Sequence, residues 1–271
     1  MSTVHDPLAN ARLTGYGRPG FAAKYDEHRP EPPEALATVL LRLARTERPA
    51  LVVDLGSGTG LSTMLWAPYA DAVIGIEPLD EMRQRATAHH RAPNVRWEAA
   101  VAQSTSVRTG AADIVTCAQS FHHMEPESAL TEIVRILRPG GVLAIYDYDV
   151  PPVVNAEADE AFSTFMSRVN ALRAQHGLRS AQQRWDKDDQ LERLARRFPY
   201  TREVLLHHTD SCSAERWVRF ALSIATVPPV LELGLSDEDT GLAAFRRASA
   251  RVFGVHGLPW HVSYRVKVAI K

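Results

Sequence analysis

A doubly wound α/β fold is what this sequence predicts, and three observations carry the prediction. Between residues 50 and 150, short apolar runs alternate with stretches of helical periodicity, as parallel strands joined by crossover helices do. The first of these runs feeds directly into a glycine-dense turn. Near the other end of the chain, Trp260 to Val268 alternate apolar and polar residues, which suits an antiparallel strand with one exposed face.

In chain order, strands are expected at Leu51–Val53, Ala72–Ile76, Val95–Trp97, Ile114–Cys117 and Val142–Ile145, each a short apolar run. Helices are expected between them at 60–68, 79–91 and 126–137. The last carries Leu130, Ile133, Val134 and Leu137 at spacings of three and four, one apolar stripe. After Asp149 the pattern changes. Pro151 and Pro152 break the chain, and residues 157–197, rich in Glu, Arg and Gln, predict long polar-faced helices that form a cap. Helices at about 213–226 and 236–252 then separate a weak strand, Glu203–His207, from the alternating one, its expected sheet neighbour. The organisation expected is an N-terminal lid segment over 1–48, a ligand-binding core over 49–150, a helical cap over 151–200 and a C-terminal sheet completion over 201–271.

Composition narrows the function classes. A chain of 271 residues with 45% hydrophobic and 23% charged residues buries a substantial core, which removes disorder and coiled coil. Its net charge of -1 offers no long-range field to a polyanion, so neither nucleic acid nor an anionic membrane is an expected partner. No apolar run reaches the roughly 18 residues of a membrane helix, and Met1 to Arg18 lack the apolar stretch of a signal peptide. Cys117 and Cys212 form no C-x-x-C pair, so no metal is expected and a reducing, cytoplasmic setting fits.

The strongest chemical signal is Val52-Val53-Asp54-Leu55-Gly56-Ser57-Gly58-Thr59-Gly60, a strand entering a glycine turn and then a helix. Glycine permits positive φ and lets a ligand approach the backbone where a Cβ would clash. One glycine would be an ordinary strand-to-helix turn; three at alternate positions, after an acid, indicate a ligand. A dinucleotide fingerprint, G-x-G-x-x-G, would need its third glycine at position 61, which is Leu61. A second acid, Glu77, follows the second strand. A carboxylate there accepts hydrogen bonds from the vicinal hydroxyls of a ribose, so an adenosine-type ligand is expected.

With these residues in place, the chain resembles the class I S-adenosylmethionine-dependent methyltransferases. Asp54 to Gly60 match the first motif of that family, Glu77 its ribose acid, and Leu137-Arg138-Pro139-Gly140-Gly141 the turn before its fifth strand. The resemblance implies S-adenosyl-L-methionine as cofactor and a Rossmann-like seven-stranded, mostly parallel sheet with an antiparallel last strand and a helical cap. Phe21-Ala22-Ala23-Lys24-Tyr25 through Arg29-Pro30, and Ala118-Gln119-Ser120-Phe121-His122-His123, are similar to the small-molecule branch related to trans-aconitate methyltransferase. That likeness places Tyr25 and Arg29 near the cofactor carboxylate. The expected cofactor set is Asp54, Gly56, Ser57, Gly58, Gly60 and Glu77 together with Pro78, Met82 and Gln119. Where many relatives have an acid against the adenine amino group, this chain has Glu98-Ala99-Ala100-Val101-Ala102-Gln103, so Ala100 and Val101 are expected to supply backbone and apolar contacts.

A sulfonium methyl is electrophilic, so the protein need only align a nucleophile and exclude water. The acceptor is expected beyond the carboxyl ends of strands four and five, where Gln119, Ser120, His122, His123, Tyr146, Asp147 and Tyr148 fall. His123, His122 and Tyr148 are the candidate catalytic residues, since an imidazole titrates near neutrality and suits general-base work; packing histidines are the alternative. Trp185 is a candidate wall of an aromatic pocket or a packing anchor. The expected activity is methyl transfer to O, N or C of a small-molecule substrate by a monomer or homodimer. A NAD(P)-dependent oxidoreductase is the enzymatic alternative, weakened by the glycine spacing and by the absence of any tyrosine followed four residues later by lysine. A non-catalytic S-adenosylmethionine-binding protein is the alternative outside enzymes.

Overall fold

A computed structural model describes residues 6–13, 16, 18, 20–22, 26–178 and 182–271. They form a seven-stranded sheet in the order β3-β2-β1-β4-β5-β7-β6. Its strands are β1 (Leu51–Leu55), β2 (Ala72–Ile76), β3 (Val95–Glu98), β4 (Ala112–Ala118), β5 (Leu137–Tyr148), β6 (Tyr200–Cys212) and β7 (Leu258–Ile270). The first five run parallel, while β7 lies antiparallel between β5 and β6 and faces Tyr148 with Tyr264. The sequence thus placed both C-terminal strands and their pairing, but with ends too short.

Residue period two divides the core. Val52, Ile114 and Val142 point to one face, where they join Leu36, Leu40, Trp66, Phe165 and Trp217. Val53, Val115 and Leu143 point to the other, among Ile74, Ile133, Ile136 and Phe198. Both faces are covered, which is why the inner strands read as unbroken apolar runs whereas the edge strand β6 alternates.

The helices differ from expectation at identifiable breakers. The helix after the glycine turn, α3 (Leu61–Leu65), follows α1 (Pro7–Arg12) and α2 (Glu34–Leu43) and stops well before the expected 68. Pro68 lacks the N–H that a further turn requires. Next come α4 (Asp80–His89) and α5 (Pro126–Ile136), whose last carbonyls are capped from a distance: Lys271 Nζ donates to Val134 O at 2.6 Å and Leu137 O at 2.7 Å.

The expected cap over 157–197 is a single long helix, α6 (Ala156–Gln175), and a short one, α7 (Gln190–Ala195). Gly177, at φ 64°, ends α6, and residues 182–189 leave helical geometry to bond across the front of the sheet. Phe162, Phe165, Val169 and Leu172 give α6 an apolar stripe that packs into the main core. The expected helix 236–252 is divided at Gly241, φ 80°, into α10 (Asp237–Thr240) and α11 (Leu242–Phe253), after α8 (Ala214–Leu222) and α9 (Pro228–Leu231). Among the described residues, no helix is long and apolar enough to cross a membrane.

The N-terminal segment lies against the open end of the sheet. Phe21 and Ala22 pack on Leu79 and Met82, and Arg85 Nε donates to Asp26 Oδ2 at 2.9 Å. On the opposite side, Trp217 of α8 ties three elements together through rings of Phe162 (5.4 Å between centroids), Phe253 (5.7 Å) and Trp260 (6.3 Å). Trp217→Ala is expected to cost about 3–5 kcal/mol of unfolding free energy, because a fully buried ring leaves a cavity. Denaturant unfolding followed by both fluorescence and circular dichroism should show one coincident transition, since α6, α8 and α11 share the sheet's core.

Candidate functional site

Beyond β1 the chain turns through Gly56 (φ 69°), Gly58 (φ 56°) and Gly60 (φ 97°), all in the left-handed region that glycine tolerates. The three glycines serve different ends. A Cβ on Gly56 would stand 2.6 Å from Ser120 Cβ, and one on Gly60 2.5 Å from Trp97, so both are required by packing. A Cβ on Gly58 would meet nothing within 4 Å; it would project into open space beside a cavity that Gly58 lines. The turn is fastened to β2, where Ile76 O accepts from Gly56 N at 2.8 Å and from Ser57 N at 3.0 Å.

Beneath the turn, Asp54 is fully buried. Its carboxylate accepts from Thr63 Oγ1 and Thr116 Oγ1, both at 2.7 Å, and so joins β1 to α3 and β4. Burial raises its pKa to about 6, against the lowering effect of these hydroxyls. Glu77 stands above, at the end of β2, accepting from Gly58 N and Leu79 N at 2.9 Å each. Burial pushes Glu77 up to about 7 even with these bonds and the charge of Arg83.

The cavity, about 1120 Å³ when the open solvent at its mouth is counted, runs along the carboxyl ends of the parallel strands. Sheet order fixes the order of its chemistry. Val101, Ala102 and Gln103 follow β3; Glu77, Pro78, Leu79 and Met82 follow β2; Gly56, Ser57 and Gly58 follow β1; Gln119, Ser120 and His123 follow β4; Tyr146 and Tyr148 end β5. At the β5 end, Arg29 donates to Tyr148 OH at 2.6 Å and to Ser223 O at 2.8 Å, with its guanidinium 5.5 Å from the Phe220 ring centroid. Tyr264 donates to Pro30 O at 3.3 Å, and Tyr146 pairs with Ser62 Oγ. Gln119, itself at φ 52°, sets its amide nitrogen 2.8 Å from Asp147 Oδ1 and its oxygen 2.9 Å from Tyr148 N.

The two histidines differ in place and agree in charge. His123 lines the cavity; His122 lies behind it, buried, with Nδ1 3.7 Å from Asp147 Oδ1. Burial, then the cations Arg184 and Lys187, pushes His123 down to about 3. Burial, then the neighbouring His123, pushes His122 far below the usual imidazole range. Both shifts favour the neutral imidazole, which is the form that accepts a proton, while a lowered pKa makes each ring a weaker base than a free histidine.

Most of the sequence-derived residues gather on this one cavity: Arg29, Gly56, Ser57, Gly58, Glu77, Pro78, Met82, Val101, Gln119, His123 and Tyr148 all line it. Asp54, Gly60, Ala100 and His122 stand behind the wall, and Tyr25 lies outside the described residues. Trp185 is not in the wall; its backbone N–H holds His122 O at 3.0 Å. Sequence reasoning missed Tyr16, Ser62 and Tyr264. Only Tyr264 left a signal, as the aromatic in the alternating strand that the register sets opposite Tyr148.

Residues 53–145 match the family model described as a methyltransferase domain. Among curated proteins, the chain is 26% identical over 139 residues to the uncharacterised methyltransferase YcgJ of Bacillus subtilis, covering 50% of this chain and 53% of that one. It is 30% identical over 148 residues to CRG1 of Saccharomyces cerevisiae, named as a probable S-adenosylmethionine-dependent methyltransferase, covering 52% of this chain and 50% of that one. The chain thus spans about half the length of the curated relatives it matches. In fold it is similar to a candidate type II methyltransferase of Anaeromyxobacter dehalogenans, at TM-score 0.62, 21% identity and coverage of 89% of this chain and 97% of that one. It is also similar to phosphoethanolamine N-methyltransferase 2 of Haemonchus contortus, solved with phosphomonomethylethanolamine and S-adenosylhomocysteine, at TM-score 0.52, 16% identity and coverage of 97% and 57%.

Asp54 supplies a test of the site's electrostatics. Its pKa is higher folded than unfolded, so its contribution to stability is fully present below about pH 4 and is lost as pH rises through 6. Relative to Asp54→Asn, the wild-type chain is expected to lose about 3 kcal/mol of unfolding free energy between pH 4 and pH 7, read as the difference between urea curves. Parallel curves would refute the burial penalty.

Proposed function

We propose that this chain, whose residues 53–145 match a methyltransferase-domain model, is of the class I S-adenosylmethionine-dependent kind and transfers methyl groups from S-adenosyl-L-methionine to a small-molecule acceptor. The observation that carries the reading is the sequence of chemistries along the cavity. An apolar slot (Leu79, Met82, Val101, Ala102) is followed by the buried acid Glu77, the turn open at Gly58, and the Arg29 guanidinium. A flat base, a ribose diol and an amino-acid end require those groups in that order. The residues present fit the cofactor.

In this reading Glu77 accepts from the ribose hydroxyls, and Val101 and Gln103 border the base, with Ala100 behind them. Arg29, with Tyr25 close by in sequence, meets the carboxylate. Asp54 and Gly60 act indirectly, by holding the turn. When bound, S-adenosylmethionine supplies a methyl group on an electrophilic sulfonium centre. The protein's remaining task is to orient the acceptor's nucleophile and to exclude water. Gln119, His123 and Tyr148 face the acceptor, while Pro7, Ala11, Pro30 and Pro32 supply apolar closure from the N-terminal side. Segment 1–48 and residues 151–200 thus serve as lid and cap over a core at 49–150, completed by 201–271.

A small acceptor accords with a cavity partly covered by these segments, and the Haemonchus contortus neighbour, of similar fold, holds a small phosphorylated amine. The likeness of Phe21, Arg29 and Ala118–His123 to the trans-aconitate branch favours the same class. Both cysteines are buried free thiols, and this reading sets the protein in a reducing cytoplasm as a monomer or homodimer.

Calorimetry tests the proposal. S-adenosylhomocysteine is expected to bind with micromolar affinity and NADH not to bind; the reverse result would overturn the reading. Gly58→Val is expected to abolish the binding, with thermal melting confirming that the variant folds. Because Glu77 titrates at about 7 and its ionised form is the acceptor, affinity should decline as pH falls from 8 to 6. Glu77→Gln should remove that slope.

A further inference from the structure

Gln182 and His123 are far apart in sequence, yet the Gln182 amide nitrogen meets Nδ1 of the His123 ring. The contact is not incidental, because the segment carrying Gln182 is tied down at three further points. Gln183 N donates to Asn10 Oδ1 at 2.8 Å, and Asn10 Nδ2 donates to both Gln183 O and His123 O at 3.0 Å. Trp185 N donates to His122 O at 3.0 Å. Lys187 Nζ stands 2.7 Å from Asp147 Oδ1. Asn10 is buried, so the N-terminal helix and this strap are clasped together over the two histidines.

A neutral imidazole has one donor nitrogen and one acceptor. An amide nitrogen only donates. Nδ1 therefore accepts from Gln182, and the hydrogen resides on Nε2. That Nε2 is buried and has no hydrogen-bond partner among the described residues. The surroundings also oppose a second proton: the His122 ring lies tilted by 50° at 4.0 Å between centroids, Tyr16 meets the ring edge-on at 5.8 Å, and Arg184 and Lys187 are the cations acting on it, with Asp147 already engaged by Lys187.

We propose that His123 donates a hydrogen bond through Nε2–H to the methyl acceptor, that Gln182 is the positioning residue that sets this tautomer, and that the acceptor presents a carbonyl or carboxylate oxygen there. The proposal rests on the methyltransferase reading for the identity of the molecule that occupies this part of the cavity. It gives His123 a selective role: an acceptor oxygen satisfies the orphan N–H, whereas an ammonium or other donor group would leave two donors facing each other.

The test uses the full chain labelled with 15N-histidine, with the His123 signals assigned by their loss in His123→Asn. Long-range 1H–15N spectra are expected to show the neutral Nε2–H tautomer without titration between pH 5.5 and 8. Gln182→Glu places a carboxylate at Nδ1 and should convert the ring to the Nδ1–H form. In the wild-type protein, acetate, which at neutral pH offers only acceptor oxygens, should shift the Nε2 resonance, and methylammonium should not. An Nδ1–H tautomer, a midpoint near 6.5, or a resonance unmoved by acetate would each overturn the proposal. S-adenosylhomocysteine binding measured on the same sample separates the two readings, since its failure would remove the cofactor assignment and leave the tautomer result standing.

Discussion

Three backbone amides of the glycine turn are held at the end of β2: Gly56 N and Ser57 N by Ile76 O, and Gly58 N by the Glu77 carboxylate. The rest of the site depends on this fastening. A turn whose alternate residues are left-handed has no helical or sheet ladder of its own, so without these acceptors its N–H groups would be left to solvent. Held there, it sets the one glycine that nothing crowds, Gly58, along the cavity and brings a buried carboxylate beside it. Asp54 completes the support from below through Thr63 and Thr116. Two buried acids thus lie close under one loop, and each raises its own pKa chiefly by being out of water.

The opposite end of the cavity has the opposite charge. Arg29 stands beside Tyr148, and Arg184 and Lys187 add to the burial that lowers the pKa of the histidine pair. The acids belong to the parallel strands and the cations to the segments folded over them, so the electrical polarity of the cavity follows the division between sheet and cover. Cover and sheet are not independent, because Asn10, Gln182, Trp185 and Lys187 bond to residues at the ends of β4 and β5. Opening the front of the site means breaking those bonds together.

Much of this was legible in the sequence. The inner strands announced themselves as apolar runs because both faces are covered, and the β7 alternation survived because one of its faces is exposed along part of its length. The glycine loop was legible because glycine spacing is a local property. Residues 182–189 were not, since they are held irregular by contacts with Asn10, His122, His123 and Asp147, none of which is near in sequence. The charge state of His123 was equally hidden. Its unperturbed pKa invited a base, but burial and two cations contributed by a distant segment decide it. The partners of Asp54 were hidden for the same reason: its place in the motif is local, but the hydroxyls it accepts from belong to α3 and β4.

The central claim is that the groups after β3, β2, β1 and β5 bind one adenosyl ligand in that order. A crystal structure of the chain with S-adenosylhomocysteine tests it most directly. The account predicts the base between Leu79, Met82 and Val101, the ribose hydroxyls on Glu77, the chain of the ligand passing Gly58, and its carboxylate at Arg29. A ligand lying elsewhere, or reversed so that the base meets Arg29, would contradict it.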